Sequence, residues 1–193
     1  GKRAHALGHP IVIDPVGVSG SSYRREKCLE LMKIIHPTCI RGNYSEIQAL
    51  LHNCGTVTGV DAAEDALAEA EETDLPELMK QYAKENQMIL VASGETDLIT
   101  DGSCVYRCHN GSPMMARITG SGCMSTVMLG AFLSAENSVE SAVACCAFTG
   151  IAGELAAKEM TAQKRGTMTF RNWFIDAVSL MTPEQLEHGT DVD

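Results

Sequence analysis

A glycine-rich turn followed by an apolar run is the segment of this sequence best suited to chemistry. Within Ile118-Thr-Gly-Ser-Gly-Cys-Met-Ser-Thr-Val127, Gly120 and Gly122 precede a predicted helix that continues through Leu133. Backbone N–H groups at a helix N-terminus, together with the helix dipole, form an anion site that suits a phosphoryl group in transfer. Cys123 falls in the first turn of that helix. Taken alone, a glycine turn that opens a core helix with an ordinary buried cysteine explains the segment equally well.

Two further segments place polar side chains directly after predicted strands. The loop Asp14-Pro-Val-Gly-Val-Ser-Gly-Ser-Ser-Tyr-Arg24 lies where ligands commonly bind in open α/β sheets, and Arg24 could pair bidentately with phosphate oxygens. By itself this loop is better explained as a surface turn with a solvated arginine. The segment Ala92-Ser-Gly-Glu-Thr-Asp97 leaves a strand on a glycine turn that could lie beneath a nucleotide. A plain hairpin turn is the stronger interpretation of that segment alone.

The segment Arg41-Gly-Asn-Tyr-Ser-Glu46 combines an amide and a carboxylate three residues apart. Asn43 and Glu46 share one face if a helix begins here, and their oxygen atoms suit a hydrated Mg²⁺ ion. An equally good alternative is an Asx turn with a first-turn glutamate that satisfies helix amides. Ser45 is the predicted N-cap of the helix that follows, 46–53.

Short apolar runs alternate with helical patterns, and these elements must hold the polar segments in place. The predicted strands are 11–16, 38–42, 88–92, 98–100 and 105–108, and the predicted helices are 24–35, 46–53, one or two within 61–86, 123–133, 139–160 and 170–181. This alternation is typical of a layered α/β fold with a mostly parallel sheet, in which the first strand is buried. We predict one domain, residues 1–183, followed by a frayed polar tail, 184–193.

Composition limits the classes of partner. The chain has 193 residues, of which 45% are hydrophobic and 21% charged, so it is long and apolar enough for a globular core and is not a disordered, collagen-like or coiled-coil protein. Its net charge of −10 argues against nucleic acid and anionic membranes as partners. An acidic protein can still bind ATP through local amides, single arginines and Mg²⁺.

The cysteines indicate a compartment. The sequence contains 8 cysteines, and none forms a Cys-x-x-Cys pair or belongs to a zinc-type cluster with histidine. Most are therefore expected to be small buried hydrophobic residues of a reduced protein. We see no signal peptide and no apolar stretch of membrane-spanning length. These features predict a cytoplasmic protein.

Together, these segments resemble the hydroxyethylthiazole kinases of thiamine salvage, a family of the ribokinase-like superfamily. The motifs that carry the resemblance, in the order and spacing of the family, are Asp14-Pro-Val-Gly-Val-Ser19 with Tyr23-Arg24, Arg41-Gly-Asn-x-Ser-Glu46, Ser93-Gly-Glu-x-Asp-x-x-Thr-Asp-Gly102, Thr119-Gly-Ser-Gly-Cys123, and Gly166-Thr-x-x-Phe170 with Phe174-Ile-Asp-Ala177. The cysteine discriminates this family, because other ribokinase-like kinases usually place an aspartate there as the base.

The resemblance implies a three-layer α/β/α ribokinase-like fold and ATP-dependent phosphorylation of the hydroxyl of 4-methyl-5-(2-hydroxyethyl)thiazole. It places Cys123 at the substrate hydroxyl and the Gly120 backbone against the thiazole. It also assigns Arg24 and Ser93 to ATP, while amides of the glycine turn, including that of Gly122, would cradle the γ-phosphoryl group. Mg²⁺ would bridge the phosphate oxygens. The family further implies a trimer with active sites at subunit interfaces.

The sequence departs from the family at its front, where family members have additional βα units that carry part of the thiazole pocket. Elements at the N-terminal edge of the sheet are therefore expected to be lacking here. One alternative function is that of another ribokinase-like kinase for a hydroxymethyl heterocycle, against which Cys123 argues. A second alternative is a non-catalytic nucleotide-binding fragment or assembly subunit.

Overall fold

The computed structural model describes residues 1–52 and 75–193. The elements of these ranges are α1 Lys2–Ala6, β1 Val12–Ile13, α2 Ser22–Ile35, β2 Cys39–Asn43, α3 Tyr44–Leu51, α4 Leu75–Asn86, β3 Ile89–Ser93, β4 Asp97–Thr100, β5 Val105–Cys108, a 3₁₀ helix Pro113–Arg117, α5 Ser121–Ala135, α6 Val139–Ala162, α7 Thr167–Leu180 and α8 Pro183–Gly189. The predicted alternation of strands and helices is confirmed, and α1 and α8 were not predicted. The predicted helical stretch 61–74 lies outside the described residues.

Five strands of the described residues form one sheet in the order β1-β2-β3-β4-β5. β1 pairs in parallel with β2, with Val12 opposite Cys39 and Ile13 opposite Ile40. Only three residues separate β3 from β4 and four separate β4 from β5, and such short connections permit only antiparallel pairing. The α/β class is confirmed, and the sheet is mixed. The predicted burial of the first strand is wrong, since β1 is an edge strand and its two residues are half-buried.

The described residues divide into two compact units. The first unit comprises Gly1–Ala92 and Thr100–Val105, and the second comprises Ser93–Ile99 and Tyr106–Asp193. In the first unit, α3 follows β2 without a loop and packs on it. Its apolar residues recur at helical spacing, and those almost fully buried are Ile47, Leu50 and Leu51. The single-domain prediction for residues 1–183 stays a prediction.

In the second unit, α6 packs against both α5 and α7. The small residues Ala152 and Ala156 of α6 are fully buried, and they let the aromatic rings of α7 approach closely. Phe170 and Phe174 are also fully buried, and their rings stack with centroids 6.3 Å apart. The small-residue run of α6 is therefore core packing, as the sequence predicts.

The prediction that no apolar stretch reaches membrane-spanning length is wrong for α6. Among the described helices, Val139–Ala162 is the one with the length and composition to cross a membrane. However, 61% of its apolar window is buried inside the protein. A core helix of a globular protein meets the same criteria, so this helix is weak support for a membrane span.

The tail predicted as frayed is instead structured. Thr182 and Gln185 form a capping box that starts α8, with Pro183 in the first turn. Beyond the helix, Val192 forms an isolated antiparallel bridge with Cys108 of β5. The sequence could not predict this order, because the partners of the tail lie about eighty residues earlier in the chain.

Candidate functional site

The glycine turn predicted for chemistry has a backbone that glycine favours. Gly120 has φ of +95° in the left-handed region and is the N-cap residue of α5. Because glycine has no side chain, it cannot cap the first amides of the helix, which have no intrahelical acceptors. The Ser121 hydroxyl donates to the Met115 carbonyl at 2.8 Å and anchors the turn to the preceding 3₁₀ helix. The turn is thus anchored to the preceding 3₁₀ helix, and no side chain of the N-cap residue caps the first amides of α5.

Gly122 and Cys123 lie inside α5, as its second and third residues. The Thr126 hydroxyl donates to the Gly122 carbonyl at 3.0 Å, which is an ordinary bond one turn back along the helix. Cys123 is exposed, so the alternative of an ordinary buried cysteine does not hold at this position. An exposed thiol beside the positive end of a helix dipole is a group that a substrate hydroxyl can reach.

Ser93 is the last residue of β3, and it belongs to the same compact unit as the glycine turn. Directly after it, the Gly94 amide donates to the Asp97 carboxylate at 3.0 Å and closes the turn into β4. Ser93 itself is half-buried. The predicted hairpin turn is therefore observed, with Ser93 at its entrance.

Arg24 lies in the first turn of α2, after the N-cap Ser21. Its side chain is exposed, and Nη1 donates to the Val16 carbonyl at 3.3 Å. A guanidinium carries several further N–H donors, so this one bond leaves capacity for a phosphate. Its neighbour Arg25 donates through Nε to the Val18 carbonyl at 3.2 Å. Both arginines thus contact the loop that follows β1.

Asn43 and Glu46 form a capping box at the start of α3. The Asn43 Oδ1 accepts from the Glu46 amide at 2.9 Å, and the Glu46 Oε2 accepts from the Asn43 amide at 3.0 Å. The prediction that Ser45 caps this helix is wrong: α3 begins at Tyr44, and the Ser45 hydroxyl donates to Asn43 Oδ1 instead. Because Asn43 precedes the first helical residue, its side chain reaches the orphan amide.

The same carboxylate makes a contact that the sequence did not predict. Oε1 of Glu46 accepts a hydrogen bond from the Gly17 amide at 2.8 Å, across 29 residues of sequence. Glu46 is only 9% exposed, so this is a buried charged group with both oxygens engaged. No local sequence pattern signals such a pair. In the structure Gly17 has φ of +75°, a backbone conformation that glycine favours in a tight loop.

The side-chain oxygens at the start of α3 are chemically suited to Mg²⁺ held through water. Amide and carboxylate oxygens are hard ligands, and each Glu46 oxygen, which accepts one hydrogen bond here, retains a second lone pair. Asn43 Oδ1 already accepts from both the Glu46 amide and the Ser45 hydroxyl. Within residues 1–52 and 75–193, no group of three or more His, Cys, Asp or Glu side chains is placed to hold a metal ion. Glu46 would therefore help to complete the shell of an ion bound mainly by phosphate and water, and Asn43 would join it on release of the Ser45 hydroxyl.

The structure distributes the predicted site residues over its two units. Arg24, Asn43 and Glu46 belong to the first, where the loop after β1 connects Arg24 to Glu46. The second unit holds Ser93, Gly120, Gly122 and Cys123.

Comparison with known proteins gives a consistent result. A model of the hydroxyethylthiazole kinase family matches residues 1–184. The hydroxyethylthiazole kinase of Clostridium acetobutylicum is 35% identical over 190 residues, which cover 97% of this chain and 69% of that relative. The hydroxyethylthiazole kinase of Desulforudis audaxviator is 37% identical over 194 residues, which cover 100% of this chain and 67% of that relative.

A solved structure agrees. The hydroxyethylthiazole kinase protein from Pyrococcus horikoshii OT3 superposes with a TM-score of 0.81 at 26% identity, over 100% of this chain and 68% of that chain. The chain therefore spans about two thirds of the length of the relatives it matches.

Proposed function

The chain belongs to the hydroxyethylthiazole kinase family, and on that premise we propose that it phosphorylates the hydroxyl of 4-methyl-5-(2-hydroxyethyl)thiazole with ATP, a step of thiamine salvage. The fold is the ribokinase-like α/β fold, and the family is one of kinases. The observation that carries the proposal is the exposed Cys123 in the first turn of α5, three residues after Gly120, an N-cap residue that makes no side-chain cap bond.

Phosphoryl transfer requires mainly positioning and stabilisation of charge. In this proposal the first amides of α5, including that of Gly122, donate to the γ-phosphoryl oxygens as negative charge develops on them. The Gly120 backbone lies against the thiazole. Cys123 orients the substrate hydroxyl and accepts its proton as the oxygen attacks phosphorus. A loose transition state needs little base assistance, so orientation is the larger part of that role.

Arg24 and Ser93 are the proposed contacts to ATP. The exposed guanidinium of Arg24 retains N–H donors beside its bond to Val16, and charge-assisted bonds to phosphate are stronger than neutral ones. Ser93 would contribute a hydroxyl from the end of β3. For Arg24→Ala we expect a higher KM for ATP, since a lost charged contact costs about 1.5–3 kcal/mol. Unchanged KM and kcat would remove Arg24 from the site.

Mg²⁺ is the proposed metal, held through the oxygens of Asn43 and Glu46 and through water. When bound, it would neutralise charge on the phosphate oxygens. We also propose a homotrimer with active sites at subunit interfaces, and a cytoplasmic location. The seven described cysteines form no disulfide among themselves, which supports a reducing compartment. Because the chain spans about two thirds of its relatives, part of the thiazole pocket is proposed to come from elements preceding β1 in the family.

A substrate panel tests the proposal. The kcat/KM for ADP formation would be compared between the thiazole alcohol and a hydroxymethylpyrimidine. The methyl ether of the thiazole alcohol is the control, since it has the same ring and no hydroxyl to phosphorylate. We expect turnover with the thiazole alcohol alone. Preference for the pyrimidine would assign the chain to another hydroxymethyl heterocycle kinase.

A further inference from the structure

We propose that Glu46 is a positioning residue: it fixes the backbone of the Val16–Val18 segment and, through that segment, the guanidinium of Arg24. The proposal rests on the proposed contact of Arg24 with ATP. It begins from the bond between Glu46 Oε1 and the Gly17 amide, which at 2.8 Å joins the start of α3 to the loop after β1. A carboxylate that is only 9% exposed requires such donors, since burying it unpaired is costly.

Three charged side chains hold three consecutive residues of that segment. Arg24 Nη1 donates to the Val16 carbonyl at 3.3 Å, and Arg25 Nε donates to the Val18 carbonyl at 3.2 Å. Between them, the Gly17 amide donates to Glu46. Of the three, only the bond to Glu46 reaches outside the loop and its own helix α2. Glu46 therefore sets where the segment lies, and the arginines follow it.

The other carboxylate oxygen makes Glu46 a fixed reference point. Oε2 accepts from the Asn43 amide at 3.0 Å within the capping box, so the plane of the carboxylate is set by α3. Both oxygens face N–H donors. A glutamine side chain has one acceptor oxygen and one NH₂ donor in place of the two oxygens. Glu46→Gln must therefore lose one of the two bonds, and its NH₂ group then faces a backbone N–H donor. This variant keeps the size of the side chain and removes its ability to accept both hydrogen bonds at once.

The first measurement is hydrogen exchange of the Gly17 amide, followed by NMR on protein without nucleotide or Mg²⁺. We expect the wild-type amide to be protected and to exchange about tenfold or more faster in Glu46→Ala, because this variant has no acceptor for the Gly17 amide. Glu77→Ala is the matched control: Glu77 is exposed and is likewise the third residue of its helix, α4. An unprotected Gly17 amide in the wild type overturns the proposal without any variant, and so does unchanged exchange in Glu46→Ala.

The second measurement is a double-mutant cycle on the KM for ATP at saturating Mg²⁺. If Glu46 acts through Arg24, Glu46→Gln raises this KM severalfold in the wild type and adds little in the Arg24→Ala background. A role limited to Mg²⁺ gives additive effects, which would overturn the link to Arg24. Glu46→Asp, which retains the charge but is one methylene shorter, is expected to behave as Glu46→Gln does. The exchange measurement needs no kinase activity, so failure of the proposed function would be recognised separately.

Discussion

Two of the described cysteines differ from the rest in their surroundings. Cys104 and Cys123 are exposed, whereas the other described cysteines are buried. Burial raises the pKa of the Cys108 thiol to about 11, from an ordinary value of 9.0, because the thiolate loses its hydration. Since the thiolate is the nucleophile, Cys108 stays unreactive at neutral pH. Exposure therefore separates Cys104 and Cys123 from the buried structural thiols, and of these two only Cys123 lies at a helix N-terminus.

This difference predicts a pattern of alkylation. In native protein treated with iodoacetamide, we expect Cys104 and Cys123 to be modified well before Cys108, because reagent and thiolate must meet at the surface. ATP, Mg²⁺ and the thiazole alcohol together should protect Cys123 while leaving Cys104 as reactive as before. Peptide mass spectrometry measures both sites in one sample. Equal protection of the two cysteines, or of neither, would contradict a ligand at α5.

Substitutions at Cys123 separate its side chain from the backbone amides beside it. If the thiol removes the hydroxyl proton, Cys123→Ser loses roughly 10²–10⁴ in kcat, and Cys123→Asp restores activity because a carboxylate can accept the proton. If the amides dominate, the Ser and Ala variants keep most of kcat, since both retain the N–H. We expect Asp to be at least as active as Cys and Ser to be clearly impaired. Wild-type kcat in both Ser and Ala would remove Cys123 from catalysis.

At the scale of the elements, the β4–β5 turn depends on one glycine. Gly102 has φ of +96°, and a Cβ there would lie 2.5 Å from the Cα of Lys84. The side chain of an alanine would therefore meet backbone that cannot move aside, in a conformation that already disfavours it. We expect Gly102→Ala to lower the free energy of unfolding by about 2–4 kcal/mol in urea denaturation.

Gly8 is the matched control for that prediction. It also has a positive φ, +70°, but nothing lies within 4 Å of its Cβ position. Gly8→Ala should therefore show only the backbone cost, about 1 kcal/mol. Equal losses for Gly8→Ala and Gly102→Ala would mean that the close approach of α4 to the turn is unimportant.

The elements also show what the sequence could predict. Helical periodicity and turn residues predicted α2, α6, α7 and the β4–β5 hairpin, because these depend on patterns within each segment. The order of the C-terminal tail could not be predicted in this way, since its partners, Asn110 among them, lie about eighty residues earlier. The Asn110 Nδ2 donates to the Gly189 carbonyl at 2.8 Å, and Oδ1 accepts from the Asp191 amide at 2.8 Å.

The candidate site shows the same division between local features, which the sequence predicts, and long-range contacts, which it does not. Gly120, Gly122 and Cys123 are predictable because a glycine turn and a helix N-terminus are local features. The Ser45 cap was wrong by two residues, which is the usual uncertainty at a helix start. The bond between Glu46 and Gly17 joins residues 29 apart and had no signature in either segment. Local chemistry was thus visible in the sequence, and its long-range support was not.

At the scale of the whole molecule, charge makes binding of ATP depend on local groups. The net charge of −10 repels a nucleotide at long range, so attraction must come from helix amides, Arg24 and Mg²⁺ at close range. Short-range contacts between buried or partly buried groups are screened little by salt. As a kinase, this chain, which spans about two thirds of the length of its relatives, must both bind ATP and transfer its phosphoryl group.

The most direct test is a single-turnover experiment with the protein in excess over ATP labelled at the γ-phosphorus, in the presence of Mg²⁺ and 4-methyl-5-(2-hydroxyethyl)thiazole. Chromatography of the quenched mixture would measure the label in each product. We expect one labelled thiazole phosphate for each ATP consumed, and no labelled organic phosphate when the methyl ether replaces the alcohol. ATP that binds and remains intact in the presence of the alcohol would contradict kinase activity and make this chain a nucleotide-binding module.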